Sequence, residues 1–148
     1  MGVQSYTLNE LIQFLSNGKF DHFRYTDYYA VTHLNDGVEV LFELNDGKIS
    51  DELVDFSVMV LNNFDKCIKD AQLWLKTIKR ADQMYSDAFD LGFELYGITF
   101  GKFEYGHRSK PATDGFTISF STVNYYPCAF TVKYHKNMHP FAIEEWVE

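Results

Sequence analysis

The sequence predicts an α+β fold, a largely antiparallel β-sheet with an N-terminal helix and two central helices packed on one face. Three observations lead there. Between Ser50 and Ala81, Leu53, Phe56, Val60, Phe64, Ile68, Ala71, Leu75 and Ile78 recur every three or four residues, which places them on one helical face. Aromatic residues make up 18% of the chain, with fourteen Phe and ten Tyr, and such residues favour strands and bring large burial areas. The order is helix, strands, two helices, then a run of strands, and segregated elements of this kind argue for an antiparallel sheet.

In chain order, Thr7-Leu8-Asn9-Glu10 fits a capping box, with Leu8, Leu11, Ile12 and Leu15 as the apolar face and Gly18 as a left-handed stop. A helix from Leu8 to about Asn17 follows. Phe20 to Tyr25 reads as a short strand. Tyr28–Leu34 and Val38–Leu44 flank Asn35-Asp36-Gly37, a hairpin signal. Two registers fit it. A two-residue loop pairs Asn35 with Val38, whereas a three-residue loop with Gly37 left-handed pairs Leu34 with Val38. The second is preferred, because it gathers Tyr28, Ala30, Thr32 and Leu34 on one face with Val38, Val40, Phe42 and Leu44 and leaves His33 outward beside Glu39.

Ser50 is a good N-cap, with Asp51 and Glu52 placed to complement the helix dipole. An unbroken helix of ~30 residues would span ~45 Å, too long for a domain of this size. Asn62-Asn63 is the natural break, so two helices are expected, about 51–61 and 64–80, the first buried almost all round. Ala81–Leu91 reads as a connection. Phe93–Phe100 and Lys102–His107 read as strands divided at Gly101, and Arg108–Gly115 as a loop. Phe116, Ile118 and Phe120 alternate with Thr117, Ser119 and Ser121. Phe130, Val132 and Tyr134 repeat that pattern after a turn at Asn124–Pro127. Phe141–Val147 fits either an edge strand or a short helix.

A length of 148 residues fits a single domain, 1–148, able to bury ~70% of the surface its unfolded chain exposes. The formal charge is −8, and it is spread along the chain: residues 1–48 carry three basic against seven acidic side chains, residues 49–90 five against eight. Such a surface repels phosphate backbones, so nucleic acid is not an expected partner. A basic protein partner or plain solubility suits it better. No apolar run approaches ~18 residues, so no membrane span is expected, and the first residues lack a secretory pattern. With two distant cysteines, a cytoplasmic protein holding reduced thiols is the simplest expectation.

Cys128, His135 and His139 come nearest to a metal-ligand set, since zinc takes thiolate and imidazole at short spacing. The set has one cysteine where structural sites typically have two, and residues four apart on a strand stand over ~13 Å apart. The simpler reading is a buried thiol and two surface histidines, and no cofactor is expected. His107, Arg108 and Lys110 form the one dense cationic patch, in an expected loop suited to an anion or an acidic surface. Cys67 lies beside the helical stripe, where thiols act as small apolar groups. The Glu144, Glu145, Glu148 and Asp51, Glu52, Asp55 clusters have simple roles in solubility and dipole complementation. The Tyr25, Tyr28, Tyr29 and Tyr125, Tyr126 groups are read as packing.

The acidic balance, the Asp-Gly hairpin before Ser50 and the aromatic C-terminal strands ending His-Pro-Phe-Ala-Ile-Glu-Glu-Trp resemble small bacterial α+β domains that act as immunity proteins of polymorphic or contact-dependent toxin systems. The resemblance implies a non-enzymatic protein that occludes a basic toxin domain, and it carries over no site residue. The alternative is a small-ligand module or enzyme with a pocket between helices and sheet, using His107, Arg108 or the Cys128, His135, His139 group.

Overall fold

A computed structural model describes residues 4–77, 93–103, 113–122 and 128–147. Among the described residues, three helices and seven strands follow one another as α1 (Leu8–Ser16), β1 (Arg24–Tyr25), β2 (Tyr29–His33), β3 (Glu39–Glu43), α2 (Asp51–Asn62), α3 (Phe64–Thr77), β4 (Phe93–Phe103), β5 (Thr113–Thr122), β6 (Cys128–His135) and β7 (Pro140–Val147). The strands form one sheet in chain order, β1 to β7. Every pairing is antiparallel except β3 with β4, and that is the pair separated by α2 and α3. Parallel neighbours need a crossover connection, and the helical segment supplies it. The fold is α+β, as the segregation of elements predicts.

Local chemistry accounts for the element ends. The capping box forms, with Glu10 N–H donating to Thr7 Oγ1 at 3.1 Å and Thr7 N–H donating to Glu10 Oε1 at 2.9 Å. In the first hairpin Leu34 N–H donates to the Val38 carbonyl at 2.9 Å, and Gly37 takes φ 89°. The preferred register is therefore the one adopted, with Ala30 opposite Phe42 and His33 opposite Glu39. Ser50 caps α2 by accepting from Leu53 N–H at 3.2 Å. Asn63 ends α2 and closes the turn into α3, its side-chain amide donating to the Met59 carbonyl at 2.9 Å.

Helices and sheet share one core. Leu11 and Leu15 of α1, Phe56, Val60 and Leu61 of α2 and Cys67, Ala71 and Leu75 of α3 pack with inward strand residues from Ala30 to Tyr134. Through it runs an aromatic row with one ring per strand. Phe42, Phe100, Phe116 and Tyr134 are direct cross-strand partners on β3 to β6. Their successive ring centroids are 5.4, 6.1 and 4.7 Å apart, and Phe23 extends the row from Phe42 at 5.7 Å. Such pairs contribute about 0.5–1.5 kcal/mol each beyond their burial.

Four expectations need correction. The strand expected over Phe20–Tyr25 shrinks to Arg24–Tyr25, because Phe23 N–H turns back to the Phe20 carbonyl at 3.1 Å. Gly101 does not divide two strands, for β4 runs through it and the sheet irregularity falls between Leu95 and Gly97. Asp114-Gly115 lies inside β5, where Gly115 pairs with both Gly101 and His135. The first central helix is not buried all round: Met59 is 43% exposed. Phe141–Val147 resolves as strand within β7. The expected connection at Ala81–Leu91 and the turn at Asn124–Pro127 lie outside the described residues.

Candidate functional site

Among the described residues, two surface depressions gather side chains from several elements. The first is a depression of about 400 Å³ at the N-terminus of α2, walled by Glu43, Asn45, Asp51, Glu52, Gly101 and Lys136. The fold makes it by ending β3 at Glu43 and starting α2 at Asp51 after a tight turn. Asn45 bridges Lys48 there, with Asp46 at φ 53° and Gly47 at φ 77°. Glu43 lies over Gly101, where a Cβ would stand 2.6 Å from the Glu43 Cβ, so a side chain at 101 would displace Glu43. Asp51 and Glu52 stand exposed in the first helical turn, where the helix dipole favours negative charge. Among the described residues, Glu43, Asp51, Glu52 and Lys136 are the charged side chains that wall the depression.

The second feature is a cleft of about 840 Å³ between α3 and the turn joining β6 to β7, lined by Met59, Cys67, Asp70, Leu73, Tyr134 and Met138 together with Lys66 and Lys69. Its exposed margin mixes Met59 and Leu73, the latter 63% exposed, with Asn63, Asp65, Lys66 and Lys69. At its base the Tyr134 hydroxyl donates to Asp70 Oδ2 at 2.8 Å. Burial, then the hydrogen bond and charge of Asp70, push the Tyr134 pKa far above the ordinary phenol value. Burial, then Asp70, also raise the Cys67 thiol, with Lys66 opposing. Both groups stay protonated at neutral pH. A buried thiol of this kind is a poor nucleophile.

Cys128, His135 and His139, the nearest approach to a ligand set in the sequence, are not brought together. Cys128 and His135 begin and end the same strand, β6, a separation of about 23 Å at strand rise. His135 and His139 do meet, through a tight turn in which His135 N–H donates to the His139 carbonyl at 2.8 Å, and the His135 ring stacks on Phe141 at 4.1 Å. Among the described residues, no group of three His, Cys, Asp or Glu side chains could hold a metal ion. His107, Arg108 and Lys110 lie outside the described residues. Glu144 forms an ion pair with Lys133 on the sheet surface. Tyr25 and Tyr28 are exposed, at 48% and 74%.

The Tyr134–Asp70 pair was not foreseen from sequence. One signal was present: Tyr134 occupies an inward strand position, and a buried phenol hydroxyl usually finds a partner. Which of many carboxylates would supply it depends on how α3 crosses the sheet. No family model matches the chain, and no curated protein or solved structure shows significant similarity to it. Among the described residues, no helix is long and apolar enough to cross a membrane.

Proposed function

We propose that the chain is a non-enzymatic acidic interaction protein that engages a basic protein partner, of the kind a bacterial immunity protein makes when it neutralises a toxin domain in the cytoplasm. The observation that supports this most is the gathering of Glu43, Asp51 and Glu52 around one depression on a chain of net charge −8. Clustered surface carboxylates attract a basic partner over a Debye length and penalise acidic competitors. The test is co-purification with the product of the neighbouring gene at low salt, followed by the Asp51→Lys, Glu52→Lys double variant. A complex that weakens with salt and is lost in the variant supports the reading. No complex with any genomic neighbour at low salt counts against it.

A second reading rests on the cleft beside Tyr134, where Met59, Leu73 and Met138 and a hydrogen-bonded base suit a small ligand with an apolar part. A thermal-shift screen separates the two. A strong shift with a metabolite that Leu73→Asp abolishes favours the cleft; a shift only with basic proteins favours the acidic depression.

A further inference from the structure

The turn between β6 and β7 repeats the first hairpin turn bond for bond. In the first, Leu34 N–H donates to the Val38 carbonyl at 2.9 Å, Gly37 N–H to the Leu34 carbonyl at 2.9 Å, and Val38 N–H to Asp36 Oδ1 at 3.3 Å. In the second, His135 N–H donates to the His139 carbonyl at 2.8 Å, Met138 N–H to the His135 carbonyl at 2.9 Å, and His139 N–H to Asn137 Oδ1 at 3.1 Å. The last loop residue is left-handed in both, Gly37 at φ 89° and Met138 at φ 72°. Glycine suits that position because it has no Cβ to crowd the following carbonyl, so a methionine there is held against a steric preference. Backbone kept in a sparsely populated region clusters at binding sites, where a side chain must be aimed.

The Met138 side chain packs partly against the core and also lines the cleft beside Tyr134. Met59 of α2 and Cys67 of α3 line the same cleft. The chain has four Met and two Cys, and three of these six residues thus border one cleft. Thioethers are flexible and polarisable, and they make favourable contacts with aromatic rings. A volume of about 840 Å³ lies within the range of small-molecule sites.

We propose that Met138 is a specificity-determining residue of this cleft, kept in left-handed backbone so that its thioether, with that of Met59, holds the aromatic ring of a small ligand. This rests on the small-ligand reading above and adds to it the class of ligand and the residue that selects it. A side chain kept for a ligand and one kept for the core differ in what their removal does. Loss of the first weakens binding while relief of the backbone maintains stability; loss of the second lowers stability.

The test follows the full chain by NMR, with isotopically labelled methionine methyl groups, during titration with naphthol and with its fully hydrogenated counterpart. The second alcohol keeps the hydroxyl and the carbon skeleton but has no aromatic ring. Met59 and Met138 signals, assigned from Met59→Leu and Met138→Leu, are expected to shift together, with naphthol binding about tenfold more tightly than the saturated alcohol. Met138→Gly and Met138→Asn, whose new residues accept left-handed backbone, are expected to weaken naphthol binding about tenfold, read at Met59, without lowering the thermal unfolding midpoint. Unchanged binding in either variant, or a midpoint that falls in both, overturns the role of Met138 and leaves the small-ligand reading standing. Equal binding of the two alcohols overturns the choice of an aromatic ring. No movement of the Met59 and Met138 signals with either alcohol overturns this inference, and the small-ligand reading falls with it only if the thermal-shift screen also finds no ligand.

Discussion

Tyr134 and Asp70, sixty-four positions apart in sequence, are joined by a 2.8 Å hydrogen bond from the phenol to the carboxylate. It ties α3 to β6 at the end of the aromatic row, where Tyr134 stacks on Phe116 with ring planes 4° apart. Tyr134→Phe keeps the stack and removes the bond. A hydrogen bond to a charged acceptor contributes about 1.5–3 kcal/mol when buried, and solvent access at half-buried Asp70 lowers that to about 1–2 kcal/mol. Urea denaturation of Tyr134→Phe, Asp70→Ala and the double variant measures it. A coupling energy of zero would mean that the two side chains merely lie side by side.

The same pair gives the protein an alkaline limit. Burial and Asp70 raise the Tyr134 pKa in the folded state above that of the unfolded chain. The phenol's contribution is therefore complete below about pH 10 and is lost as pH rises through and beyond it. Cys67, raised by burial and then by Asp70, adds a loss that begins above about pH 9. Stability measured from about pH 8 to 11 should fall more steeply for the natural chain than for Tyr134→Phe. Parallel curves would remove Tyr134 from the account.

What the sequence disclosed and what it hid follow from the range of the interactions. Thr7 with Glu10, Ser50 with Leu53, and Leu34 with Val38 lie within four residues of one another, so residue type and spacing alone specify them. The alternation of Phe116, Ile118 and Phe120 likewise names the buried face, since strand periodicity is local. At Gly101 and Gly115 the sequence is ambiguous, because glycine signals a turn and a close backbone approach equally well. The deciding neighbours, Glu43 and Tyr134, belong to strands paired across the sheet. The candidate site was hidden for the same reason. Glu43 meets Gly101, and Asp70 meets Tyr134, only after α2 and α3 have carried the chain across to β4.

Gly115 and Gly37 make a clean contrast between two reasons for a glycine. At Gly115 a Cβ would stand 2.0 Å from the Tyr134 carbonyl oxygen, which is backbone and has no room to yield. Gly115→Ala should therefore force β5 and β6 apart and cost about 3 kcal/mol or more. At Gly37, where φ is 89° and nothing lies within 4 Å, alanine meets only the left-handed penalty of about 1–2 kcal/mol. Thermal denaturation should rank Gly115→Ala well below Gly37→Ala. The reverse order would place the sheet register elsewhere.

The stripe along α2 and α3 differs in depth from one position to the next, and charge insertion reads that depth. Val60, Ala71 and Leu75 are fully buried, whereas Leu53, Phe64 and Ile68 sit at intermediate exposure near the interhelical turn or the edges of the stripe. A carboxylate at Leu75 would lose its hydration with no cation among the buried residues of the core to repay it, a penalty of several kcal/mol, comparable to the whole stability of a small domain. Leu75→Asp should leave no cooperative unfolding transition in circular dichroism. A carboxylate at Phe64 can turn toward water, so Phe64→Asp should lose the ring's partial burial, about 1–3 kcal/mol, and still fold. If both variants unfold, the junction at Asn63 is packed as tightly as the helix centres. If both fold, the core does not rest on this stripe.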